Sequence, residues 1–472
     1  MAIQMEQLKK DFNSLQQHFQ KVQRLSSVKE RKMKLKRMRS WIEAHQVDIQ
    51  KALYQDFHKP EPEVDLTEIK VVLNEIDHYL RHLSRWVRAK KVRPNLLLMG
   101  TKAWTKPEPK GVALIFAPWN FPFMLTIGPM ISAVAAGNCV VLKPSELAEH
   151  TSELIRQMIT ELFPPEEARV YLGGPDVAQA LLKLPFNHIF FTGSTEVGKK
   201  VMKAAAEHLA SVTLELGGKN PTIVDETADV KDTAEKLVYG KFLNGGQSCV
   251  SPNFIFVHQT IHDPLVEHIK TMIFKMYRGN GNGSITPDMA HIIHPKHYRR
   301  VSDIIRKTVK KGAQLVVGGK GVDEECYIPP TVLDQVPMDS PAIQNEIFGP
   351  VMPVIPYDNL DTVLEFINQQ EKPLALYIFS RSKRNIDRII NNTSSGGVCI
   401  NDTTIQFAHP NLPFGGINAS GIGKAHGYYG FLEFSNQRAF VKQRRGFTTL
   451  KIVYPPYTPG IKRLVKWIVK YI

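Results

Sequence analysis

Residues 111 to 142 run without one charged side chain, and this stretch constrains the fold more than any other. It is long enough for a membrane helix. Pro118, Pro122 and Pro129, with Asn120 and Asn138, interrupt it. Internal prolines break helices, and buried polar groups are costly in lipid. The run therefore reads as a buried strand, a proline turn, a buried helix and a second strand: a core segment rather than a membrane span.

The same alternation continues. Strands "VALIFA", "CVVLKP", "HIFFTG" and "SVTLEL" are separated by helical segments at about 147–163, 175–184 and 196–209, the pattern of a parallel α/β sheet with crossovers. After residue 217 a second unit follows, with a helix near 228–244, strand "NFIFVHQ", a helix at 261–277 and strands "AQLVVGG", "LALYIFS" and "GGVCIND". Residues 1 to 90 carry apolar residues at three-and-four spacing and read as helices. Residues 93 to 107 read as a hairpin or arm, and "GNGNGS" as a surface loop.

With 472 residues, 43% of them hydrophobic, the chain can bury large cores in two or three domains. Its net charge of +15 admits anionic ligands or surfaces. The cluster "KERKMKLKRMR" (29–39) reads as a solvated helix face, and without zinc-finger spacing or an RNP-like motif no nucleic acid is expected. Four scattered cysteines, Cys139, Cys249, Cys326 and Cys399, form no CxxC pair and no cluster with histidine. That argues for a reducing, cytoplasmic setting and against a disulfide scaffold or a metal site. The first residues lack the apolar core of a secretory leader.

Five places could carry chemistry. In "NGGQSCVSPN", Cys249 is either a nucleophile or a small packed residue near a turn. "TLELGGKNP" sets Glu215 at the end of an apolar strand, where burial would raise its pKa toward that of a general base; pairing with a lysine is the alternative. "APWNFPF" holds Asn120 rigidly between prolines, as an oxyanion donor or a turn-former. In "FFTGSTEVGKKV", Gly193, Ser194 and Gly198 lead a strand into a helix whose N-terminus could meet phosphate, or is simply capped. "VVLKPSE" places Lys143 and Glu146 at a strand end, where an acidic group can bind ribose or merely start the next helix.

In succession, "PWNFP", "LKPSE", "TGSTEVG", "LELGGKNP", "GGQSCV", "EIFGP" and "PFGGINASGIG" resemble the NAD(P)-dependent aldehyde dehydrogenase superfamily over almost the whole chain. "GYYGFLEFS" and the "YPPYTP" tail resemble its class 3, fatty aldehyde dehydrogenase-like group. The resemblance implies an α/β, aldehyde dehydrogenase-like fold with a Rossmann-type coenzyme domain (1–88 and 108–217), an α/β catalytic domain (218–420), an oligomerisation arm (89–107 and 436–447) and a tail (448–472).

It also implies that Cys249 attacks the aldehyde, that Asn120 and the Cys249 N–H hold the oxyanion, and that Glu215 activates the water that hydrolyses the thioester. Relatives that pass the acyl group to coenzyme A resemble this chain but lack that carboxylate. A CoA-acylating enzyme and a non-catalytic binding protein are the alternatives. Coenzyme contacts fall on Pro118, Trp119, Lys143, Glu146, Gly193, Ser194, Val197, Gly198, Leu216, Glu346 and Phe348, with Glu346 also a candidate for proton transfer. NAD is expected, NADP being the alternative, with a homodimer as the assembly. Cys139 and Cys399 read as structural, and His409 as a hydrated loop residue or part of the substrate mouth.

The tail "GIKRLVKWIVKYI" (460–472) puts Lys462, Lys466 and Lys470 on one stripe, with Leu464, Trp467, Ile468 and Tyr471 largely opposite. Such a helix is too short to span a bilayer. It would lie on an anionic membrane surface, cover the substrate mouth, or cover ordinary surface. The first two imply a long apolar aldehyde, fatty or terpenoid.

Overall fold

The first helices form where the sequence supplies both a cap and an apolar face. Ser27 starts the helix Val28–Ala44 with a capping box closed by Glu30. Helices Met5–Lys21, Gln46–Phe57 and Lys70–Trp86 surround it in sequence. The computed structural model describes residues 5–95, 98–277 and 285–471, so the "GNGNGS" stretch lies outside the described residues.

Strands β1 (Lys90–Val92) and β2 (Thr101–Pro109) begin an arm. The uncharged run then folds as β3 (Val112–Phe116), the helix Met124–Ala136 and β4 (Cys139–Lys143). β5 (Ala168–Val170), β6 (His188–Thr192) and β7 (Ser211–Glu215) follow, with crossover helices between them. Val112, Leu114 and Phe116 of β3 enter the core on one face of this sheet, while Ala113 and Ile115 enter the core on the other. Both faces are covered, and for that reason these strands read as continuous apolar runs. One local expectation shifts: Ser145 and Glu146 do not start a helix, which begins only at Glu149. The Ser145 hydroxyl instead accepts from the Leu147 N–H in a turn.

A second sheet uses β8 (Pro221–Val224), β9 (Phe254–His258), β10 (Gln314–Val317), β11 (Thr331–Asp334), β12 (Val351–Tyr357), β13 (Ala375–Phe379) and β14 (Gly397–Ile400), in the order β10-β11-β12-β9-β8-β13-β14. β15 (Gly421–Ile422) returns to the first sheet, antiparallel to β7, giving the order β15-β7-β6-β3-β4-β5. β16 (Ser435–Gln443) pairs along the whole of β2 and completes the three-stranded arm, where Trp104 stacks on Phe440 at 5.3 Å. Only residues 216–220 separate β7 from β8, so the carboxyl end of the first sheet abuts the second.

The tail forms a helix, Pro459–Tyr471, with no buried residue. Ile461, Leu464 and Ile468 are half-covered, while Trp467 and Tyr471 stand exposed. Among the described residues no helix is long and apolar enough to cross a membrane.

Candidate active site

Cys249 sits where the two sheets meet, on a turn that the sequence forces. Asn244, Gly245 and Gly246 are all left-handed (φ 57°, 61° and 72°), a run that favours Asn and Gly. A Cβ on Gly246 would stand 2.3 Å from the Gly349 carbonyl oxygen, so "NGG" and "FGP" fit only against each other. Asn220 fixes the turn from below: its side-chain amide donates to the Cys249 carbonyl at 2.7 Å and to that of Ser251 at 2.9 Å. The thiol is partly accessible. Burial, followed by the Glu215 and Glu346 carboxylates, pushes its pKa up to about 12, with the N–H groups of Cys249 and Val250 acting the other way.

Asn120 is buried, and its side-chain amide donates to the Gln247 carbonyl at 3.0 Å. Its own carbonyl accepts from Asn244 at 2.8 Å. The proline turn is therefore stitched to the cysteine turn. A buried ion pair braces the proline turn: Lys59 Nζ lies 2.8 Å from Glu68 Oε1 and 4.1 Å from the centre of the Phe121 ring. Glu68 Oε2 accepts the Met124 N–H. Breaking such a pair from one side costs about 3–5 kcal/mol.

Glu215 ends β7, fully enclosed, and among the described residues neither carboxylate oxygen has a hydrogen-bond partner. Burial raises its pKa well above the ordinary value; Lys424 opposes that and Glu433 adds to it. Lys424 donates to the carbonyls of Gly415 and Gly416, and a Cβ on Gly415 would stand 3.1 Å from both Glu215 Oε1 and the Lys424 chain. Glu433 accepts the Thr213 hydroxyl at 2.6 Å and the Lys424 N–H at 3.2 Å. Nothing in the local pattern around Lys424 or Glu433 marked them, because both reach the site from the chain's last return to the first sheet.

A cleft of about 250 Å³ opens on one side of the sulfur, lined by Pro118, Trp119, Asn120, Gly193, Ser194, Glu215, Leu216, Glu346 and Phe348, together with His297 and Arg300. Sequence reasoning missed the last two. Glu346 is half-buried and packs against Gly217, where a Cβ would meet its carboxylate at 2.4 Å. It accepts the Gly218 N–H at 3.1 Å, and burial raises its pKa to about 7. Trp119 and Phe348 meet edge-on at 5.3 Å. Ser194 caps the helix Thr195–Ala206, accepting from the Val197 N–H. Gly198 packs under Leu216, with 2.7 Å left for a Cβ. Lys143 and Glu146 lie apart from this cleft at the end of β4, paired at 2.7 Å.

A second cavity, of about 280 Å³, shares Cys249 with the cleft. Its walls are Leu66, Val71, Phe121, Met124, Leu125, Leu243, Ile405 and Phe407, with Tyr239 and Thr404. His409 is exposed and outside it, its Nδ1 accepting the Asn411 N–H. Cys139 and Cys399 are buried in strands.

The arrangement offers a thiol, an enclosed carboxylate and an amide donor between a polar cleft and an apolar cavity. Comparisons with known proteins agree with that chemistry. The model of the aldehyde dehydrogenase family matches residues 2–440. The 4,4'-diaponeurosporen-aldehyde dehydrogenase of Staphylococcus aureus is 40% identical over 444 residues, 94% of this chain and 95% of that one. Aldehyde dehydrogenase family 3 member A2 of Pongo abelii is 40% identical over 427 residues, covering 90% and 87%. Among solved structures, the substrate-bound state of Staphylococcus aureus AldH superposes with a TM-score of 0.93 at 39% identity, covering 99% of this chain and 100% of that one. A Mycobacterium tuberculosis aldehyde dehydrogenase complexed with NAD+ gives 0.83 at 26% identity, covering 92% and 90%. GapN of Methanocaldococcus jannaschii complexed with NADP gives 0.84 at 26%, covering 94% and 96%.

Proposed function

Since this chain belongs to the aldehyde dehydrogenase family and is an NAD(P)-dependent oxidoreductase, we propose that it oxidises long, apolar aldehydes to carboxylic acids by way of a Cys249 thioester. The carrying observation is the cavity of about 280 Å³ walled by aliphatic and aromatic side chains, with Cys249 in its lining. Each methylene buried there contributes about 0.8 kcal/mol, so kcat/KM should climb roughly fourfold per CH₂ until the cavity is full. The 4,4'-diaponeurosporen-aldehyde dehydrogenase is named for an aldehyde of that character.

The residues of the polar cleft fit a nicotinamide coenzyme. Trp119, Phe348 and Leu216 give it flat apolar walls, Glu346 offers a carboxylate to a ribose, and the capped helix after Gly193 offers N–H groups to phosphate. Val197 and Gly198 lie on that helix, and Lys143 and Glu146 stand at the next strand end to meet the adenosine ribose. Bound there, the nicotinamide supplies the hydride acceptor.

The protein's own groups do the rest. The Cys249 sulfur adds to the aldehyde carbon as its proton passes to solvent. One N–H of the Asn120 amide is held by Gln247, leaving the other, with the Cys249 N–H, to stabilise the oxyanion. Loss of hydride from that adduct leaves a thioester. Glu215, enclosed and without a hydrogen-bond partner among the described residues, takes a proton from water as the water attacks the thioester and passes it to the departing thiolate, which releases the acid and restores the thiol. That carboxylate favours hydrolysis over transfer to coenzyme A.

The arm, an exposed three-stranded sheet at the flank, suits a homodimer. The tail helix, with Lys462, Lys466 and Lys470 opposite its apolar stripe, suits contact with an anionic membrane surface. One experiment tests the reading: NADH formation from saturated aldehydes of increasing length, for the wild type, Cys249→Ala and a chain ended after Pro459. We expect rising kcat/KM with length, more than about 10⁴-fold loss in the alanine variant, and a loss of long-chain activity and vesicle binding in the shortened chain. Turnover that ignores chain length, or that survives Cys249→Ala, would overturn the proposal.

A further inference from the structure

Away from the catalytic centre, three side chains from distant parts of the sequence converge. His58, His291 and Glu325 each bring a ligand atom into a group in which all lie within 4.8 Å of one another. His58 follows the helix Gln46–Phe57, His291 precedes the helix Pro295–Lys310, and Glu325 lies in the turn between β10 and β11. We propose that they form a binding site for a divalent transition-metal ion of the zinc class.

The donor set selects that class. Two imidazoles and one carboxylate suit Zn²⁺ or Co²⁺, whereas Mg²⁺ and Ca²⁺ take oxygen ligands throughout. His291 is oriented as a ligand would be: its Nδ1 lies 2.7 Å from the Glu325 backbone carbonyl, which sets the tautomer and leaves Nε2 to bind. The two rings pack with centroids 4.2 Å apart, tilted by 36°. His291 is buried, His58 half-buried and Glu325 exposed, so an ion can enter from solvent and keep a water as its fourth ligand.

The backbone supports the same reading. His58 sits at a helix end with φ 53°, a left-handed position that glycine usually fills. A histidine there carries a conformational cost that ligation of a metal would offset. The His291 N–H donates to the Phe57 carbonyl at 2.9 Å, so the two sides of the site are already joined.

The cluster also touches the catalytic turn. Gln247 Nε2 donates to the His291 carbonyl at 2.9 Å, and its Oε1 accepts the Ile293 N–H at 3.1 Å. Gln247 is two residues from Cys249, so an ion at this site braces the backbone that holds the nucleophile's turn.

The test uses the full chain without a polyhistidine tag, stripped with chelator and titrated with Zn²⁺ by calorimetry and with Co²⁺ by visible absorption. We expect one ion per chain, a higher Tm with Zn²⁺, and at least about tenfold weaker binding in His58→Gly and in Glu325→Gln. Without metal, His58→Gly should melt no lower than the wild type, because glycine adopts this φ freely; should it melt lower, the exposed Glu325→Gln carries the test. Absence of stoichiometric binding, or binding unchanged in both variants, would refute the site. So would binding that survives His58→Gly but vanishes when the thiols are alkylated, since cysteines would then hold the ion.

Discussion

Two cavities of nearly equal size, about 250 and 280 Å³, meet at the sulfur of Cys249, and their walls have opposite character. The first is lined by Glu215, Glu346, Arg300 and His297 around a tryptophan and a phenylalanine. The second has, among the described residues, no charged side chain on its walls. Equal volumes with unequal polarity divide the work at the nucleophile. Charge moves on one side, and on the other a tail is held only by its removal from water. The charged wall is assembled from separate elements: Glu215 from the end of β7, where a parallel α/β sheet exposes its loops, His297 and Arg300 from the helix Pro295–Lys310, and Glu346 from the turn before β12. The apolar wall comes mostly from helix faces, Leu66, Val71, Met124 and Leu125 among them.

The most damaging blow to this division falls on the polar side. Glu215→Gln should lower steady-state turnover about 10²–10⁴-fold while leaving a burst of NADH of about one per site, because hydride leaves before water attacks. Rapid-mixing absorbance at 340 nm reads both. If the burst disappears as well, Glu215 acts before hydride transfer, and the two steps share one base.

Asn120→Ala should cost about 10²–10³-fold in kcat, with equal losses for short and long aldehydes, since the oxyanion does not sense the tail. On the apolar side, Val71→Trp should lower kcat/KM for the longest aldehydes about tenfold, the worth of one or two methylenes, and spare the short ones. A chain-length series on both variants separates the two cavities. Equal losses for all lengths in Val71→Trp would mean that the second cavity does not hold the tail.

The same contrast explains what the sequence disclosed. Strands β3, β4, β6 and β7 were legible because burial on both faces leaves a continuous apolar run. Cys249, Glu215 and Asn120 were legible because each sits in a tight turn or strand end with glycines or prolines beside it. The close approaches of Gly246 to Gly349 and of Gly217 to Glu346 show how those motifs interlock in this chain. The apolar wall was not legible: a leucine or valine that lines a cavity has the same helical spacing as one that packs a core. Nor was the Lys59–Glu68 pair beneath the proline turn, since a lone lysine and a lone glutamate read as surface. His58 and His291 stayed hidden for the same reason, being 233 positions apart in the chain.

The smallest effect expected is the most specific one. Burial is the main cause that raises the Glu215 pKa, and the carboxylate of Glu433 works in the same direction; the Lys424 ammonium is the group that works against them. A third, smaller pocket that also reaches Glu215 and Cys249 holds Glu75, its pKa raised to about 7 by burial, and His426, lowered to about 4; near neutrality the histidine is uncharged and Glu75 about half-ionised, a background that Lys424→Met leaves in place. Lys424→Met removes the opposing cation, so the Glu215 pKa rises further and its ionised fraction at a given pH falls. The rising limb of the kcat profile should then move to higher pH. Near neutrality the loss should be about three- to tenfold, vanishing in alkaline buffer, with Lys424→Arg restoring the profile. The burst of the first turnover should stay the same size throughout, because it precedes the step that needs Glu215 as a base. A uniform loss at every pH would instead mean that Lys424 serves only to hold the carbonyls of Gly415 and Gly416 in place.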